Sequence, residues 1–392
     1  MMPALLSSKK ELAVLGINSG TSADGLDLAL IRFARGTARP RVTVVDGVTM
    51  PYPRKIKHAI EDAIRAKTVD LEELARLDIA YGHYLGETAA RFIRGKRLRV
   101  DLIASHGQTI GHYPAKKKTL AVNRSATVQI GDGNAVAAAS GLPVVSDFRQ
   151  TDIALGGEGA PLTPFVNHLL FADKKSSRIV VNIGGIANYS YHPAGGKLDD
   201  VTGADCGPGN VLSDLGARLL FHRPYDRDGR LARKGAIVPD LVRIIEDANA
   251  GRGVSTGREQ FDWPIIARLV HGARRLRVGH HDIMASIADA TAKLIFRAVR
   301  SHLKDARLET VYLTGGGRRN LFMVERLQAY CRASRVLPIE ALGYDGDLLE
   351  AVSFAVLGGC FIFGIGSTMP RITGGKQGGV AGKLSLPPEA KP

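Results

Sequence analysis

Three glycine-rich turns follow apolar, strand-like runs in this 392-residue sequence. They read NSGTSADG from Asn18, NIGGIAN from Asn182 and LTGGGRRN from Leu313. Glycine lets backbone N–H groups approach a phosphate with no side chain in the way, and Ser or Thr hydroxyls add further donors. None of the turns matches the Walker or the dinucleotide-binding pattern. Because α/β folds bind ligands at strand ends, the three turns together predict a phosphate-binding site.

The segment ADCGPGNVLSD places Asp205 before a Gly-Pro-Gly sequence that opens a predicted helix. A carboxylate at this point could remove a proton from a hydroxyl or a water, as an acidic residue does in phosphoryl transfer. The same carboxylate could instead cap the N-terminus of the helix. The local pattern leaves both interpretations open.

Two further strand ends are rich in polar side chains, SHGQT at 105–109 and SDFRQTDIALGGEGAP at 146–161. His106 could act as a general base, although a hydrogen-bonded structural role is more common for a histidine. Arg149 has a forked guanidinium that suits a carboxylate or a phosphate, and an ion pair between domains is the alternative.

Three carboxylates near these segments also have two interpretations each. Asp147 and Asp152 could bind Mg²⁺, which takes one or two carboxylates plus waters, or could serve as turn and cap residues. Glu350 begins a long apolar helix, where it could complement the helix dipole or contact a substrate.

The elements that must position these residues alternate between strands and helices. Apolar runs at 12–17, 27–33 and 41–48 predict strands, and 3.6-residue periodicity over 54–66 and 70–95 predicts helices. Further helices are expected over 237–248, 264–275, 282–302 and the apolar segment DLLEAVSFAVLGGCFIFG. The segment LPVVSDFRQTD is predicted to be a strand running into a polar loop, and the Gly-, Lys- and Pro-rich tail from about 368 is predicted to be loosely ordered.

The strand–turn–strand pattern of the first glycine turn recurs about 165 residues later in NIGGIAN, which suggests two related lobes. Strands followed by helices in both halves predict an α/β architecture with partly parallel sheets.

Composition and charge limit the kinds of macromolecule that the protein is expected to bind. The net charge is +15, but Lys and Arg are scattered, and the densest runs (AKKKT and FIRGKRLR) lack interleaved aromatic residues. We therefore expect neither nucleic acid nor a membrane as partner. No apolar run reaches the ~18 residues of a membrane span, and the first residues do not resemble a secretory signal. Cys206, Cys331 and Cys360 show no metal-type spacing, which fits a reducing cytoplasm.

Eight motifs taken in order resemble the anhydro-N-acetylmuramic acid kinases: GINSGTSADGLD, ASHGQTI, SDFRQTDIALGGEGAPLTP, NIGGIAN, DCGPGN, STGREQF, TGGGRRN and EAVSFAVLG. They span about residues 12–367. The resemblance implies the α/β, two-lobed fold of actin and hexokinase with ATP in the interdomain cleft. It implies an N-terminal lobe of residues 1–175 plus 349–392 and a C-terminal lobe of residues 176–348.

The resemblance also implies site residues. The implied ATP-binding residues are Ser19, Gly20, Thr21, Ser22, Ala23, Asp24, Gly25 and Leu26 in the first loop, Gly184 and Gly185 in the second, and Gly315, Gly316, Gly317 and Asn320 in the third. Asp205 matches the catalytic base, which activates water to attack the anomeric carbon. Arg149, Glu350 and Thr109 are the implied substrate contacts.

The family opens a 1,6-anhydro sugar with water while moving the γ-phosphate of ATP to O6, which yields N-acetylmuramic acid 6-phosphate for cell-wall recycling. ATP and Mg²⁺ are therefore the expected cofactors, an anhydrosugar the expected substrate, and a homodimer the expected assembly. Asn18 departs from the family, because many members have Met there, and Asn occurs in the related levoglucosan kinases. The alternatives are thus an anhydrosugar kinase of the levoglucosan type and an ATP-binding module of the same fold without sugar kinase activity.

Overall fold

A computed structural model describes residues 2–20, 25–36, 39–66, 68–113, 118–119, 122–250, 261–303, 310–332 and 334–388. The chain divides into two compact units. Unit 1 consists of Met1–Leu170 and Asp347–Pro392, and unit 2 consists of Phe171–Gly346. The predicted ATP-binding residues Thr21, Ser22, Ala23 and Asp24 lie outside the described residues, as does all of the STGREQF motif except Phe261.

The strands within the described ranges are β1 (Glu11–Ser19), β2 (Gly25–Ala34), β3 (Arg41–Pro51), β4 (Leu102–Ser105), β5 (Gln108–Tyr113), β6 (Lys118–Thr119), β7 (Val122–Asn123), β8 (Ala126–Ile130), β9 (Val144–Ser146), β10 (Arg178–Ile183), β11 (Ile186–His192), β12 (Thr202–Pro208), β13 (Thr310–Thr314), β14 (Arg335–Pro338) and β15 (Lys383–Ser385). The α-helices there are α1 (Met2–Ser8), α2 (Arg54–Arg65), α3 (Leu71–Lys96), α4 (Gly133–Ser140), α5 (Phe148–Ala154), α6 (Thr163–Phe171), α7 (Val211–Phe221), α8 (Pro239–Asn249), α9 (Trp263–Leu276), α10 (His280–Leu303), α11 (Leu321–Tyr330), α12 (Leu349–Phe363) and α13 (Pro370–Thr373).

The main sheet of unit 1 has the strand order β15-β9-β4-β1-β2-β3. β1, β2 and β3 are antiparallel neighbours, whereas β1, β4 and β9 run parallel. The middle strand β1 is buried on both faces, so its sequence is apolar from Leu12 to Ile17 rather than alternating. α12 packs against β1, and it is apolar all round because most of its surface is buried.

The sheet of unit 2 repeats this plan. Its strand order is β12-β11-β10-β13-β14, with β10, β11 and β12 antiparallel and β10, β13 and β14 parallel. When the strands of each sheet are counted in chain order, the third strand lies at one edge and is followed by the second, first, fourth and fifth. Unit 1 has β15 as a sixth strand beyond β9. The repeat confirms the predicted α/β class of actin- and hexokinase-like folds, and it explains why the strand–turn–strand pattern recurs in the sequence.

Two predictions about irregular segments were wrong. The polar stretch after β9 is the helix α5, and the described part of the Gly-rich tail contains the helix α13 and the strand β15. β15 in the tail pairs antiparallel with β9, and Thr373 donates its hydroxyl to the buried carboxylate of Asp152 across 2.8 Å. Composition suggested disorder, but these contacts join segments that are distant in sequence and so leave no local signal. No helix of the described ranges is long and apolar enough to cross a bilayer.

Candidate active site

The first glycine turn connects β1 to β2 in unit 1, where Ser19 is the register partner of Leu26. Ser19 is buried, and its hydroxyl donates a hydrogen bond to Oε1 of Gln108. Leu26 is buried in the core. The side chains of these two predicted ATP-binding residues therefore face the protein interior, and only their backbone groups could contact a phosphate. Gly20 and Gly25 border the part of the loop that lies outside the described residues.

The second glycine turn in unit 2 packs directly on the GPGN segment. The carbonyl of Gly184 accepts from the Asn210 N–H at 2.7 Å, and that of Gly185 accepts from the Gly209 N–H at 2.9 Å. A Cβ on Gly209 would overlap the Gly184 carbonyl oxygen. Glycine is thus required at 209 for the close approach of two backbone segments.

The third glycine turn packs on the same strand end. A Cβ on Gly315 or Gly317 would overlap atoms of Ile183, whereas one on Gly316 would come no closer than 3.5 Å to the Asn210 amide. The structure therefore brings the turns at 183–186 and 314–317 and the GPGN segment together within unit 2. Asn320 has a structural role next to them, because its Oδ1 accepts from the Met323 N–H at 3.1 Å and caps α11.

Asp205 lies in β12 and does not cap α7. The N-cap residue of α7 is Asn210, whose amide donates instead to the carbonyl of Ile183 at 3.2 Å. The helix-cap interpretation of Asp205 is therefore wrong. Ala187 pairs with Gly207 and Asn188 pairs with Asp205, so Cys206 is the extra residue of a β-bulge.

The bulge gives this carboxylate a distinct setting. β-Bulges change the direction of side chains and are common beside active sites. Gly207 completes the bulge with a φ of +118°, and a Cβ there would meet the side-chain amide of Asn249. Burial and the neighbouring Asp205 charge raise the pKa of the Cys206 thiol, so this cysteine stays protonated.

A second polar cluster lies in unit 1 and is centred on Arg149. Its Nε donates to Nε2 of His106 at 2.9 Å, and its Nη1 donates to the carbonyl of Gly159 at 2.9 Å. The His106 ring stacks on Phe354 with ring centres 4.4 Å apart. Burial and the Arg149 charge hold the pKa of His106 well below its usual range. His106 is therefore a neutral acceptor that supports Arg149, and these partners of Arg149 lie in its own unit.

Thr109 belongs to the same cluster through two glutamines. Gln129 on β8 donates to the Thr109 hydroxyl at 3.0 Å, and Gln150, the residue after Arg149, donates to Gln129 at 3.2 Å. The structure thus connects two of the predicted substrate contacts within unit 1.

The contacts of Asp152 favour a structural role over the Mg²⁺ interpretation. Its two carboxylate oxygens accept from the Gly159 N–H and the Thr373 hydroxyl, each at 2.8 Å, so Asp152 holds the surrounding loop together. Asp147 occupies the N-cap position of α5 with a φ of +58°. Within the described ranges, no group of three or more His, Cys, Asp and Glu side chains is arranged to hold a metal ion.

Glu350 lies in the first turn of α12 with its side chain exposed. Its Oε2 accepts from Nδ2 of Asn18 at 2.9 Å. Asp27 is the cross-strand partner of Asn18, and burial raises the pKa of Asp27 to about 6, with the Glu350 charge contributing. Our sequence interpretation missed Asp27, although a carboxylate inside the apolar run LDLALIRF was an available signal.

Comparisons with known proteins identify the family to which this chain is related. The family model described as anhydro-N-acetylmuramic acid kinase matches residues 12–386. An anhydro-N-acetylmuramic acid kinase of Caldanaerobacter subterraneus is 31% identical, with 97% of this chain and 98% of that protein covered. One of Rippkaea orientalis is 34% identical, with 95% and 99% covered, and one of Trichormus variabilis is 35% identical, with 95% and 96% covered.

These matches extend through both units and include the glycine turns, the Asp205 bulge and the Arg149 cluster. The protein therefore belongs to the anhydro-N-acetylmuramic acid kinase family.

Proposed function

We propose that this chain opens the 1,6-anhydro ring of anhydro-N-acetylmuramic acid with water and phosphorylates O6 at the expense of ATP. The observation that carries the proposal is the setting of Asp205, a carboxylate presented by a β-bulge next to the glycine turns of unit 2. It does not cap α7, and it matches the catalytic base in the motif resemblance described above. General base catalysis by a carboxylate so placed contributes about 10²–10⁴ in rate.

In the proposed reaction Asp205 removes a proton from water as the water oxygen attacks C1 of the sugar. The C1–O6 bond breaks, and O6 takes the γ-phosphoryl group of ATP while ADP leaves. The proton on Asp205 returns to solvent, so that sugar, water and ATP give the sugar 6-phosphate and ADP. Catalysis of this kind rests on alignment of the reacting groups and on stabilisation of phosphate charge.

We assign Gly184, Gly185 and Gly315–Gly317 to ATP in unit 2. Backbone N–H groups of glycine turns are suited to bind phosphates, because no side chain stands in the way. Mg²⁺ would enter with ATP, neutralise phosphate charge and keep several of its own waters, so the cation needs few protein ligands. We assign no residue as a metal ligand.

We assign Arg149, Thr109 and Glu350 of unit 1 to the sugar. The guanidinium of Arg149 is held at Nε and Nη1, and this orients the group for a carboxylate or hydroxyl. The net charge of +15 favours approach of a substrate that carries a lactyl carboxylate. The presence of Asn at position 18, as in the levoglucosan kinases, favours the second candidate, a kinase for an anhydroglucose of that type.

The test is an assay of ADP release with anhydro-N-acetylmuramic acid, levoglucosan and glucose in parallel, for the wild-type protein and Asp205→Asn. We expect release with the muramic substrate and its loss by at least about 10²-fold in the variant, with ADP affinity unchanged by calorimetry. Asp199→Asn, an exposed aspartate of the same unit, is the matched control. Preference for levoglucosan would select the second candidate, and near-wild-type turnover by Asp205→Asn would exclude Asp205 as the base.

A further inference from the structure

A row of three polar side chains crosses neighbouring strands of unit 1. Asn18 on β1 is the register partner of Asp27 on β2, which in turn is the register partner of Thr49 on β3. The Thr49 hydroxyl donates to Oδ1 of Asp27 at 2.6 Å, and Asn18, on the neighbouring strand at the other side, also lowers the pKa of Asp27. Directly opposed residues of antiparallel strands have Cβ atoms about 5 Å apart, so this row is set by the strand register.

Gly16 places Glu350 at the end of this row. It lies two residues before Asn18 and therefore on the same face of β1. A Cβ on Gly16 would overlap the carbonyl oxygen of Ala351, the residue after Glu350. The absence of that Cβ lets the start of α12 lie directly on β1, within reach of the Asn18 amide.

The two ends of the Asn18–Glu350 hydrogen bond differ in exposure. Asn18 is 2% exposed, whereas the Glu350 side chain is exposed to solvent. The amide therefore holds one oxygen, Oε2, from the buried side at 2.9 Å and leaves the outer side of the carboxylate free to meet a ligand. Hydrogen bonds to a charged group are about twice as strong as neutral ones, so this contact restricts the carboxylate effectively.

We propose that Asn18 is a positioning residue for the sugar kinase reaction, which fixes the Glu350 carboxylate towards a substrate hydroxyl and separates its charge from that of Asp27. The inference rests on the proposed function, because it takes Glu350 as a contact of the anhydrosugar. An apolar residue at position 18 would leave two carboxylates facing each other without a donor between them.

The charges around Asp27 explain why a donor is needed between the carboxylates of Asp27 and Glu350. Burial, Glu350 and Asp347 all raise the pKa of Asp27, whereas the Thr49 hydroxyl and the Asn18 amide lower it. The phenol of Tyr52 is also close enough for Asp27 to raise its pKa. Loss of the Asn18 donor would therefore raise the Asp27 pKa further and would also free the Glu350 carboxylate to move. Loss of the Thr49 donor would raise the Asp27 pKa but leave Glu350 held by Asn18.

This difference gives a matched pair of variants, Asn18→Leu and Thr49→Val. The first measurement is the pKa of Asp27 from ¹³C NMR of protein labelled at aspartate Cγ, with the resonance assigned by Asp27→Asn. We expect the pKa of Asp27 to rise above its wild-type value in both variants. An unchanged pKa in Asn18→Leu would show that Asn18 does not bridge the two carboxylates and would overturn the inference, whatever the activity of the protein.

The second measurement is kcat/KM for the anhydrosugar at about pH 8.5, well above the Asp27 pKa of about 6. We expect a loss of about 10–100-fold in Asn18→Leu, the cost of a hydrogen bond to a charged group, and a change of less than about twofold in Thr49→Val. Equal activity of the two variants would exclude positioning of Glu350. An inactive wild-type protein would overturn the proposed function alone, since the pKa comparison still decides whether Asn18 separates the charges.

Discussion

Arg149 and His106 form a hydrogen bond whose direction is fixed by chemistry. A guanidinium can only donate, so Nε2 of His106 must accept across the 2.9 Å that separate it from Nε of Arg149. The imidazole is consequently neutral, and its stacking on Phe354 holds the acceptor in place. In the SHGQT motif, His106 is thus the acceptor that orients Arg149.

Two substitutions of His106 remove its hydrogen-bond acceptor and its aromatic ring one at a time. His106→Phe keeps an aromatic ring against Phe354 but removes the acceptor, whereas His106→Gln keeps an acceptor and removes the ring. On the proposed role of Arg149, we expect His106→Phe to raise KM for the sugar about tenfold with ADP affinity unchanged, because Arg149 loses the partner of its Nε. Steady-state kinetics would test this, and a larger effect from His106→Gln would contradict it.

The low pKa of His106 also predicts a pH dependence of stability. The unfolded chain takes up a proton as the pH falls through the ordinary histidine value of about 6.5, while the folded protein does not. Stability is therefore fully present above pH 6.5 and falls below it, by at most about 1.4 kcal/mol per pH unit from this group.

Asp27 acts in the opposite direction, because its raised pKa makes the folded protein bind more protons between about pH 4 and 6. The comparison must therefore be between His106→Phe and the wild type. Denaturant unfolding between pH 5 and 8 should show a flatter acid limb for the variant. Parallel curves would show that His106 accepts a proton in the folded state.

The contact of Gly209 with Gly184 predicts a steric effect at the glycine cluster. Gly209→Ala should destabilise the protein by about 1–3 kcal/mol and weaken ADP binding, because the added methyl overlaps the Gly184 carbonyl. Gly95→Ala is the control: Gly95 lies in α3, and a Cβ there meets no atom within 4 Å. That change should stabilise by up to about 1 kcal/mol. The measurements are ADP affinity by calorimetry and stability by thermal unfolding, each compared between the two variants and the wild type.

Asn320 allows a structural role to be separated from nucleotide binding. Asn320→Ala removes the cap of α11 and should cost about 0.5–2 kcal/mol of stability. Asn320→Ser retains a capping oxygen and should recover most of that loss. If Asn320 also contacts ATP, both variants will bind ADP more weakly. Unchanged ADP affinity in Asn320→Ser would restrict the residue to its capping role.

The sequence indicated the elements with strong periodicity. α3 and α10 match the predicted helices at 70–95 and 282–302 to within two residues, and β1 to β3 contain the three predicted strands. In long amphipathic helices and in buried strands, apolar residues recur every few positions, so the local sequence pattern is enough to predict the element. The recurring strand–turn–strand pattern likewise reported a repeated topology.

Contacts between distant parts of the chain could not be predicted from local sequence patterns. The Asn18–Glu350 bond joins residues 332 positions apart, and neither local pattern requires the other. Asp205 was ambiguous because a cap and a bulge residue look alike before a helix, and only strand pairing distinguishes them. The tail was misread for a related reason, since β15 is ordered by β9 and not by its own sequence.

Unit 1 is built from two stretches of chain with the whole of unit 2 between them. During synthesis the residues of unit 2 therefore leave the ribosome before α12 does. A contiguous unit can fold as it emerges, whereas β1 must wait for the helix that covers it. The Asn18–Glu350 bond is consequently among the last to form. A nascent chain holds the glycine turns of unit 2 and Asp205 early but gains Glu350 late, so the order of translation delays this carboxylate until those turns exist.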